Sequence, residues 1–133
     1  MKKWYEKYIG IPFECNKADM ISCDCIGVLF LVTRNELKID EPRLDCLDWT
    51  ARKKSDYLRV YKEYLTEIPR EEIKEFDIFI QKQKGVYHVG VVIDKTKILQ
   101  ATLHRGINVA PVEQILNVPT NFYRINYDKC NRI

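Results

Sequence analysis

The sequence has no apolar stretch long enough to cross a lipid bilayer. Its longest apolar run, Ile26 to Val32, is far shorter than the ~20 residues that a membrane-spanning helix needs. Two lysines follow the first methionine, but no apolar segment comes after them, and a secretory signal peptide requires one. We therefore expect a protein that is made in the cytoplasm without a signal peptide and inserts into no membrane. If it acts outside the cell, another route delivers it.

The chain also lacks features that would divide it or keep it unfolded. It has no internal repeat, no low-complexity tract and no linker, and its 133 residues are 46% hydrophobic, which is enough for a core. We predict one domain over residues 1–133. The net charge is only +3, with the basic residues spread along the chain. A solvated surface explains this charge more simply than weak attraction to an anionic polymer, so we expect no nucleic-acid partner.

Cysteine and histidine are few and poorly spaced for a structural site. Five cysteines, an odd number, do not make a closed disulfide framework. Cys23 and Cys25 are too close in sequence to bridge each other comfortably. A zinc site would need paired ligands, whereas Cys15, Cys46 and Cys130 are isolated. We expect no metal and no other cofactor, and we expect most of these thiols to be small buried groups.

Apolar residues at helical spacing occur mainly in the first half of the chain. The middle one of three predicted helices is apolar nearly all round, so it should be central and buried. The predicted helices cover residues 2–9, Cys25 to about Leu37, and Asp48 to about Leu65. Gly10 and Pro69 end the first and the third.

The second half of the chain alternates between apolar and polar residues, which is the pattern of strands. A helix-start position at Pro111 interrupts it. The predicted strands lie within FDIFIQKQ, VYHVGVVID, KILQATL, GINVAP and TNFYRINY. Helices followed by an antiparallel meander indicate an α+β domain, in which N-terminal helices pack on a central antiparallel β-sheet.

The stretch ISCDCIGVLFLV places a thiol where it could be reactive. Asp24 is a good N-cap for a helix that starts at Cys25, and the positive end of the helix dipole favours a thiolate there. Gly27 would let another element pack close just beyond Cys25. The residues alone leave two interpretations open. Cys25 is either a nucleophile or merely the first residue of a helix, because reactivity also needs a base.

The chain offers two histidines as that base, and His88 lies within the strand YHVGVVI. Strand alternation puts His88 and Gly90 on one face, and we expect Gly90 to leave space there for a helix end. If DKT is a three-residue loop, Ile93 pairs with Lys97, and Gln100 comes within diagonal reach of His88.

Gln100 could orient the imidazole, because an amide oxygen can accept a ring N–H. It would stabilise an imidazolium less than a carboxylate does. A one-residue slip in register would turn Gln100 away from His88 and leave it as a solvent-facing strand residue. His104, on the same face, is the reserve candidate.

Five stretches, in this order, resemble the motifs of the NlpC-type cell-wall peptidases, which are papain-like cysteine peptidases that cut peptidoglycan stem peptides. The stretches are YIGIPF, DCIGVLFLV, EFDIFIQ, HVGVVI and ILQATLHRGINVAPV. Two further segments, SCDCIGV and EPRLDCLDW, resemble the version of this family found in phage tails and gene-transfer particles. The resemblance implies a papain-like, NlpC-type fold.

By position, the resemblance implies that Cys25 is the nucleophile, His88 the base and Gln100 the third polar residue. The residues expected beside the oxyanion and the substrate are Phe13, Asp24 and Ile26. Three positions depart from the family pattern. Phe13 stands where the family often has Tyr, Gln100 where it usually has His, and Phe76 where it has Gly, although Asp77 after it is retained.

The resemblance implies a cysteine endopeptidase that hydrolyses peptide bonds in peptidoglycan stem peptides through a thioester. It also implies a phage or prophage tail component that acts on the cell wall, with tail proteins as partners. The departures leave two alternatives. One is a catalytically weak structural or assembly component of a phage tail tip, and the other is an amidase or acyltransferase on the same fold.

Overall fold

The computed structural model describes residues 3–15, 17–39, 64–83 and 86–129 of the chain. The helices in these ranges are α1 (Cys25–Asn35) and the short α2 (Val112–Ile115), with 3₁₀ turns at Glu6–Tyr8, Arg70–Glu72 and Tyr127–Lys129. The strands are β1 (Leu65–Ile68), β2 (Ile78–Gln83), β3 (Val86–Val92), β4 (Lys97–Thr102), β5 (Gly106–Pro111) and β6 (Thr120–Ile125). No helix in the described ranges combines the length and apolar character that a bilayer crossing requires.

All six strands form one sheet in the order β1-β6-β2-β3-β4-β5, and each neighbouring pair is antiparallel. The β3–β4 turn is fixed by Asp94, whose carboxylate accepts the backbone N–H groups of Thr96 and Lys97 at 2.8 and 2.9 Å. Ile93 N–H donates to Lys97 O at 2.9 Å, which is the predicted register. The predicted α+β architecture, with a helix packed on a central antiparallel sheet, is confirmed.

The helix α1 packs on one face of the sheet, which we call the helix face. Every α1 residue from Cys25 to Thr33 is buried, as its nearly continuous apolar sequence predicts. The sheet contributes Ile80, Val89 and Leu99, among others, to the same core. This packing holds the start of α1 in a fixed position against the sheet.

The opposite face, which we call the far face, carries a second and smaller core. Its members from the sheet and from α2 include Phe79, Val92, Ile98, Val112 and Ile115. Because successive strand residues point to alternate faces, His88 and Gln100 both belong to the far face, as predicted.

Element boundaries in the first half of the chain differ from the predictions. The described part of residues 2–9 contains only the turn Glu6–Tyr8. Gly10, at φ 93°, then takes a left-handed conformation that suits glycine. The buried helix ends at Asn35, short of Leu37.

The helix predicted from Asp48 lies outside the described residues, as does the segment EPRLDCLDW. Leu65, about where that helix is predicted to end, is the first residue of β1. The five predicted strands are all present, as β2 to β6. β1 is a sixth strand that the sequence pattern does not predict.

The turn before β2 is held by Asp77 and Phe76. The buried Asp77 carboxylate accepts hydrogen bonds from Arg124 Nη2 and Nε at 2.9 and 3.0 Å. Phe76 has φ 71°, a left-handed conformation that costs a residue with a side chain roughly 1–2 kcal/mol. Its ring lies 4.8 Å, centroid to centroid, from that of Trp4. Packing of the Phe76 ring on Trp4 is thus a stabilising contact at a residue whose backbone is strained.

Candidate active site

The start of α1 holds Cys25 at the first helical position. Asp24 caps the helix, because its buried carboxylate accepts the backbone N–H of Gly27 at 2.8 Å. The backbone N–H of Asp24 donates to Lys17 O at 3.0 Å, which ties the preceding loop to the cap. Cys25 is therefore fixed at the positive end of the helix dipole, and the predicted N-cap is confirmed.

The loop before α1 packs closely on Gly27. A Cβ on Gly27 would lie 2.3 Å from Lys17 O and 2.6 Å from Cys23 Sγ, so only glycine fits there. Cys23 is fully buried, and this burial, together with the charge of Asp24, raises the pKa of the Cys23 thiol far above its ordinary range. Cys23 stays protonated, so Cys25 is the reactive candidate of the pair.

The strands β3 and β4 separate at the end of the sheet where His88 lies. Their ladder consists of two pairs, Val91 with Leu99 and Val92 with Ile98. The β4–β5 ladder, by contrast, runs over all six residues of β4. The segment of β3 that carries His88 therefore extends beyond its ladder with β4, and a gap opens between the two strands.

The start of α1 lies at this gap. Backbone groups point to alternate sides along a strand, and those of Ile93 face β4 through the hydrogen bond to Lys97. By the same alternation the carbonyl of Tyr87 faces the gap. Cys25 Sγ lies 3.9 Å from Tyr87 O. The thiol thus lies next to the peptide group that links Tyr87 to His88.

A hydrogen bond joins His88 to Gln100 across the two strands. His88 Nε2 and Gln100 Oε1 are 2.8 Å apart, and Gln100 is only 5% exposed. With Gln100 Oε1 as the acceptor, the neutral ring keeps its proton on Nε2 and its lone pair on Nδ1. The imidazole is thereby set to take up a proton at Nδ1. The contact that the predicted register implies is present.

His104 does not reach the same position. It lies in the β4–β5 turn and is exposed to solvent. Within the described part of the chain, no hydrogen bond or ion pair of His104 is found. Gln100, and not His104, is the residue that the fold brings to His88.

Phe79 supports the His88 ring on the far face. The two ring centroids are 5.7 Å apart, with an interplanar angle of 59°. A Cβ on Gly90 would come within 2.3 Å of Phe79 Cε2. The space left by Gly90 therefore holds an aromatic ring, and the expectation of a helix end there is wrong, because α1 packs on the other face.

The other predicted neighbours of the site differ in what they can contribute. Phe13 forms an isolated β-bridge with Cys23, so its backbone lies beside the entry to α1, and its half-buried ring packs on the core of the helix face. Ile26 is completely buried, backbone included, so this structure leaves no part of it exposed to a substrate. Asp24 acts on the site as the helix cap. No cluster of three or more metal-ligating side chains occurs among the residues that the structure describes.

Among solved structures, the NlpC/p60 domain of the peptidoglycan hydrolase SagA has the same architecture. The match covers 86% of this chain and 88% of that one, with a TM-score of 0.59 and 23% sequence identity. The fold is that of an NlpC/p60 domain. No protein-family model and no curated protein matches the sequence, so the likeness to NlpC/p60 domains is one of three-dimensional structure.

A row of polar residues crosses the far face of this NlpC/p60 fold at the level of His88. The register places Gln81 of β2 directly opposite His88, and Thr120 of β6 opposite Gln81. On the other side, Asn108 of β5 is the partner of Gln100. Of this row, only His88 and Gln100 were predicted from the sequence. Alternation within β2 would have put Gln81 on the same face, but the register between β2 and β3 was needed to set it opposite His88.

Proposed function

We propose that this protein is an NlpC-type cysteine endopeptidase that hydrolyses peptide bonds in peptidoglycan stem peptides, with residues 1–133 forming the catalytic domain. The observation that carries the proposal is the arrangement at the β3–β4 gap. Cys25 Sγ lies against the carbonyl of Tyr87, and the next residue, His88, is hydrogen-bonded to Gln100. The shared fold with a domain of a peptidoglycan hydrolase supports the substrate class.

In the first half of the proposed reaction, the Cys25 thiolate attacks the carbonyl carbon of the scissile amide. A C–S bond forms, and negative charge develops on the carbonyl oxygen. The backbone N–H of Cys25, at the start of α1, stabilises this oxyanion. His88, protonated at Nδ1, gives that proton to the leaving nitrogen as the C–N bond breaks. The products are a thioester on Cys25 and a free amine.

In the second half, water attacks the thioester carbonyl while His88 Nδ1 takes a proton from it. The C–S bond breaks, the carboxylic acid product leaves, and the Cys25 thiolate is restored. Gln100 keeps the other ring proton on Nε2 in both steps. As a neutral acceptor, it orients the ring but stabilises the imidazolium less than a charged partner would.

The sequence resemblance supports two finer parts of the proposal. The bond cut is the one after D-Glu and before the diamino acid of the stem peptide. The protein is a phage or prophage tail component, associated with the virion and acting on the cell wall, with other tail proteins as its partners. The segments SCDCIGV and EPRLDCLDW support this tail association.

Two other functions use the same residues. A catalytically weak assembly component of a tail tip is favoured by Phe13, which has no hydroxyl group, and by the neutral Gln100. An amidase or acyltransferase would use the same Cys25 chemistry, and a panel of peptide, amide and ester substrates would separate it from a peptidase.

Removal of either proposed reacting group tests the proposal. We expect Cys25→Ala and His88→Ala each to abolish cleavage of a defined stem peptide, since a nucleophile and its base act as one unit. Chromatography of the products measures cleavage, and thermal unfolding checks that the variants are folded. His104→Ala, an exposed histidine, is the matched control and should keep its activity. Wild-type protein that cuts no stem peptide, alone or with tail proteins, would favour the assembly function instead.

A further inference from the structure

Gln81 has a buried amide side chain near His88, the proposed base. The reaction proposed above does not use Gln81. Its register partner across β2 and β3 is His88, so the two side chains leave the same face from directly opposite positions. Side chains so placed have Cβ atoms about 4.5–5.5 Å apart. Gln81 is only 8% exposed. A polar side chain this deeply buried needs partners for both ends of its amide.

The nitrogen end of the Gln81 amide is fully engaged. Nε2 donates to Ile115 O at 2.6 Å and to Thr120 Oγ1 at 3.1 Å. Ile115 O can only accept, so the orientation of the amide is settled by this contact. Thr120 lies on the side of β2 away from β3, because β6 is the other neighbour of β2.

The oxygen end of the amide is not engaged in the same way. Within the described residues, no group donates a hydrogen bond to Gln81 Oε1, and this oxygen is not sealed from solvent. The nitrogen and oxygen of an amide point apart, so a nitrogen held toward Thr120 directs the oxygen elsewhere. Gln81 Oε1 is therefore an unengaged acceptor on the residue that lies opposite His88 in the register.

We propose that Gln81 Oε1 binds an N–H group of the peptide substrate on the leaving-group side of the bond that is cut. This inference rests on the proposed function. By strand alternation, the Tyr87 carbonyl that Cys25 Sγ contacts points to the β4 side of β3, whereas Gln81 lies on the β2 side. The acyl carbon bonds to sulfur and the leaving nitrogen takes its proton from His88. The peptide beyond that nitrogen therefore runs past the imidazole toward Gln81.

The ligand chemistry follows from the acceptor. A neutral carbonyl oxygen takes an amide or amine N–H and offers nothing to a carboxylate. The first amide N–H beyond the leaving nitrogen is the group that this path brings to Gln81. Gln81 would thus select substrates whose chain continues past the scissile bond over those that end there.

The test compares two ligands. One is a stem peptide, and the other is a depsipeptide in which oxygen replaces the first amide N–H beyond the leaving nitrogen. Binding to the Cys25→Ala protein, which forms no thioester, is measured by calorimetry, and the same measurement is repeated with Gln81→Met added. With Gln81 present, we expect the depsipeptide to bind about three- to tenfold more weakly, the size of one neutral hydrogen bond. In the Gln81→Met protein the two ligands should bind equally.

Two matched controls separate recognition from folding. Thr120→Val removes one anchor of the amide but leaves Ile115 O, so it should lower the melting temperature yet keep the preference for the N–H ligand. Gln114→Met changes an exposed glutamine of α2 and should alter neither the melting temperature nor the preference for the N–H ligand. The inference would be overturned if replacing the N–H by oxygen cost the same affinity with and without Gln81. It would also be overturned if neither ligand bound. Binding with the expected preference but no cleavage by wild-type protein would instead contradict the proposed peptidase and leave the inference standing.

Discussion

Gln100 shows, at the scale of a single residue, what a neutral partner can do for an imidazole. Its oxygen lies 2.8 Å from His88 Nε2 in a shielded position. That contact fixes the ring and its tautomer, but it brings no charge to offset the imidazolium. Its loss should therefore affect activity less than loss of the base.

We expect Gln100→Ala to lower the turnover of a stem peptide by roughly five- to tenfold, the effect of about 1 kcal/mol from one hydrogen bond. His88→Ala should cost about 10²- to 10⁴-fold, the contribution of general acid–base catalysis. Gln100→His should keep or raise activity, because a histidine could still bond the ring. If His104→Ala were as damaging as His88→Ala while Gln100→Ala had no effect, Gln100 would not be the third residue.

Thiol reactivity separates Cys25 from the other cysteines that the structure describes. Cys15 is exposed and should be alkylated as a surface thiol, so Cys25 is not expected to be the only labelled site. The positive end of the helix dipole should make the Cys25 thiol more reactive than an ordinary surface thiol. Cys23, buried and protonated, should react only after unfolding.

Time-resolved iodoacetamide labelling with peptide mapping, at about pH 6 and about pH 8, measures this order. The Cys25→Ala protein is the control for assigning the fast site. Labelling of Cys15 at both pH values with Cys25 inert would contradict a reactive thiolate at the start of α1.

At the scale of elements, the close packing of the entry loop on α1 decides where Cys25 lies. Lys17 O and Cys23 Sγ would both clash with a side chain at Gly27. We expect Gly27→Ala to lower the free energy of unfolding by about 1–3 kcal/mol, the usual cost of overpacking. It should also reduce activity at a temperature where the protein is still folded, because the loop and the cap at Asp24 must shift.

Gly10→Ala is the matched control for this prediction. Gly10 has φ 93°, but nothing lies within 4 Å of the position that an alanine Cβ would take there, so only backbone strain of roughly 1–2 kcal/mol is expected. Its activity should be unchanged. Chemical denaturation and turnover measured on both variants test the difference. Full activity and full stability of Gly27→Ala would show that the entry loop can move without affecting Cys25.

The strands differ in how well the sequence predicts them: β2 to β6 were predicted, and β1 was not. β2 to β6 are strands of six or seven residues bounded by turn residues, and sequence rules detect such patterns. β1, with the sequence LTEI, follows a stretch with helical spacing and pairs with β6, which is distant in the chain. A strand this short is defined by its partner and not by its own pattern.

For the whole molecule, the sequence indicates which residues make up the candidate site, whereas their geometry comes from the fold. Asp24, Cys25, His88 and Gln100 follow from local patterns and the short β3–β4 turn. The gap between β3 and β4 and the ring of Phe79 beneath His88 depend on how the strands diverge, and no local pattern specifies that divergence. The position of Gln81 likewise requires the register of two strands.

The chain shares the fold of an NlpC/p60 domain with little similarity in sequence. The fold matches an NlpC/p60 domain at 23% identity, although no family model matches the chain. Phe76 shows that a left-handed conformation, which glycine adopts without strain, can be held by a residue whose ring packs on Trp4.

The central claim is that Cys25 carries the acyl part of a stem peptide as a thioester. The most direct measurement is mass spectrometry of the intact protein, quenched with acid during turnover of a defined stem peptide, followed by peptide mapping. We predict a transient mass increase equal to the acyl fragment, located on Cys25 and absent from Cys25→Ala. An adduct on Cys15, or continued cleavage of the peptide by Cys25→Ala, would contradict the claim.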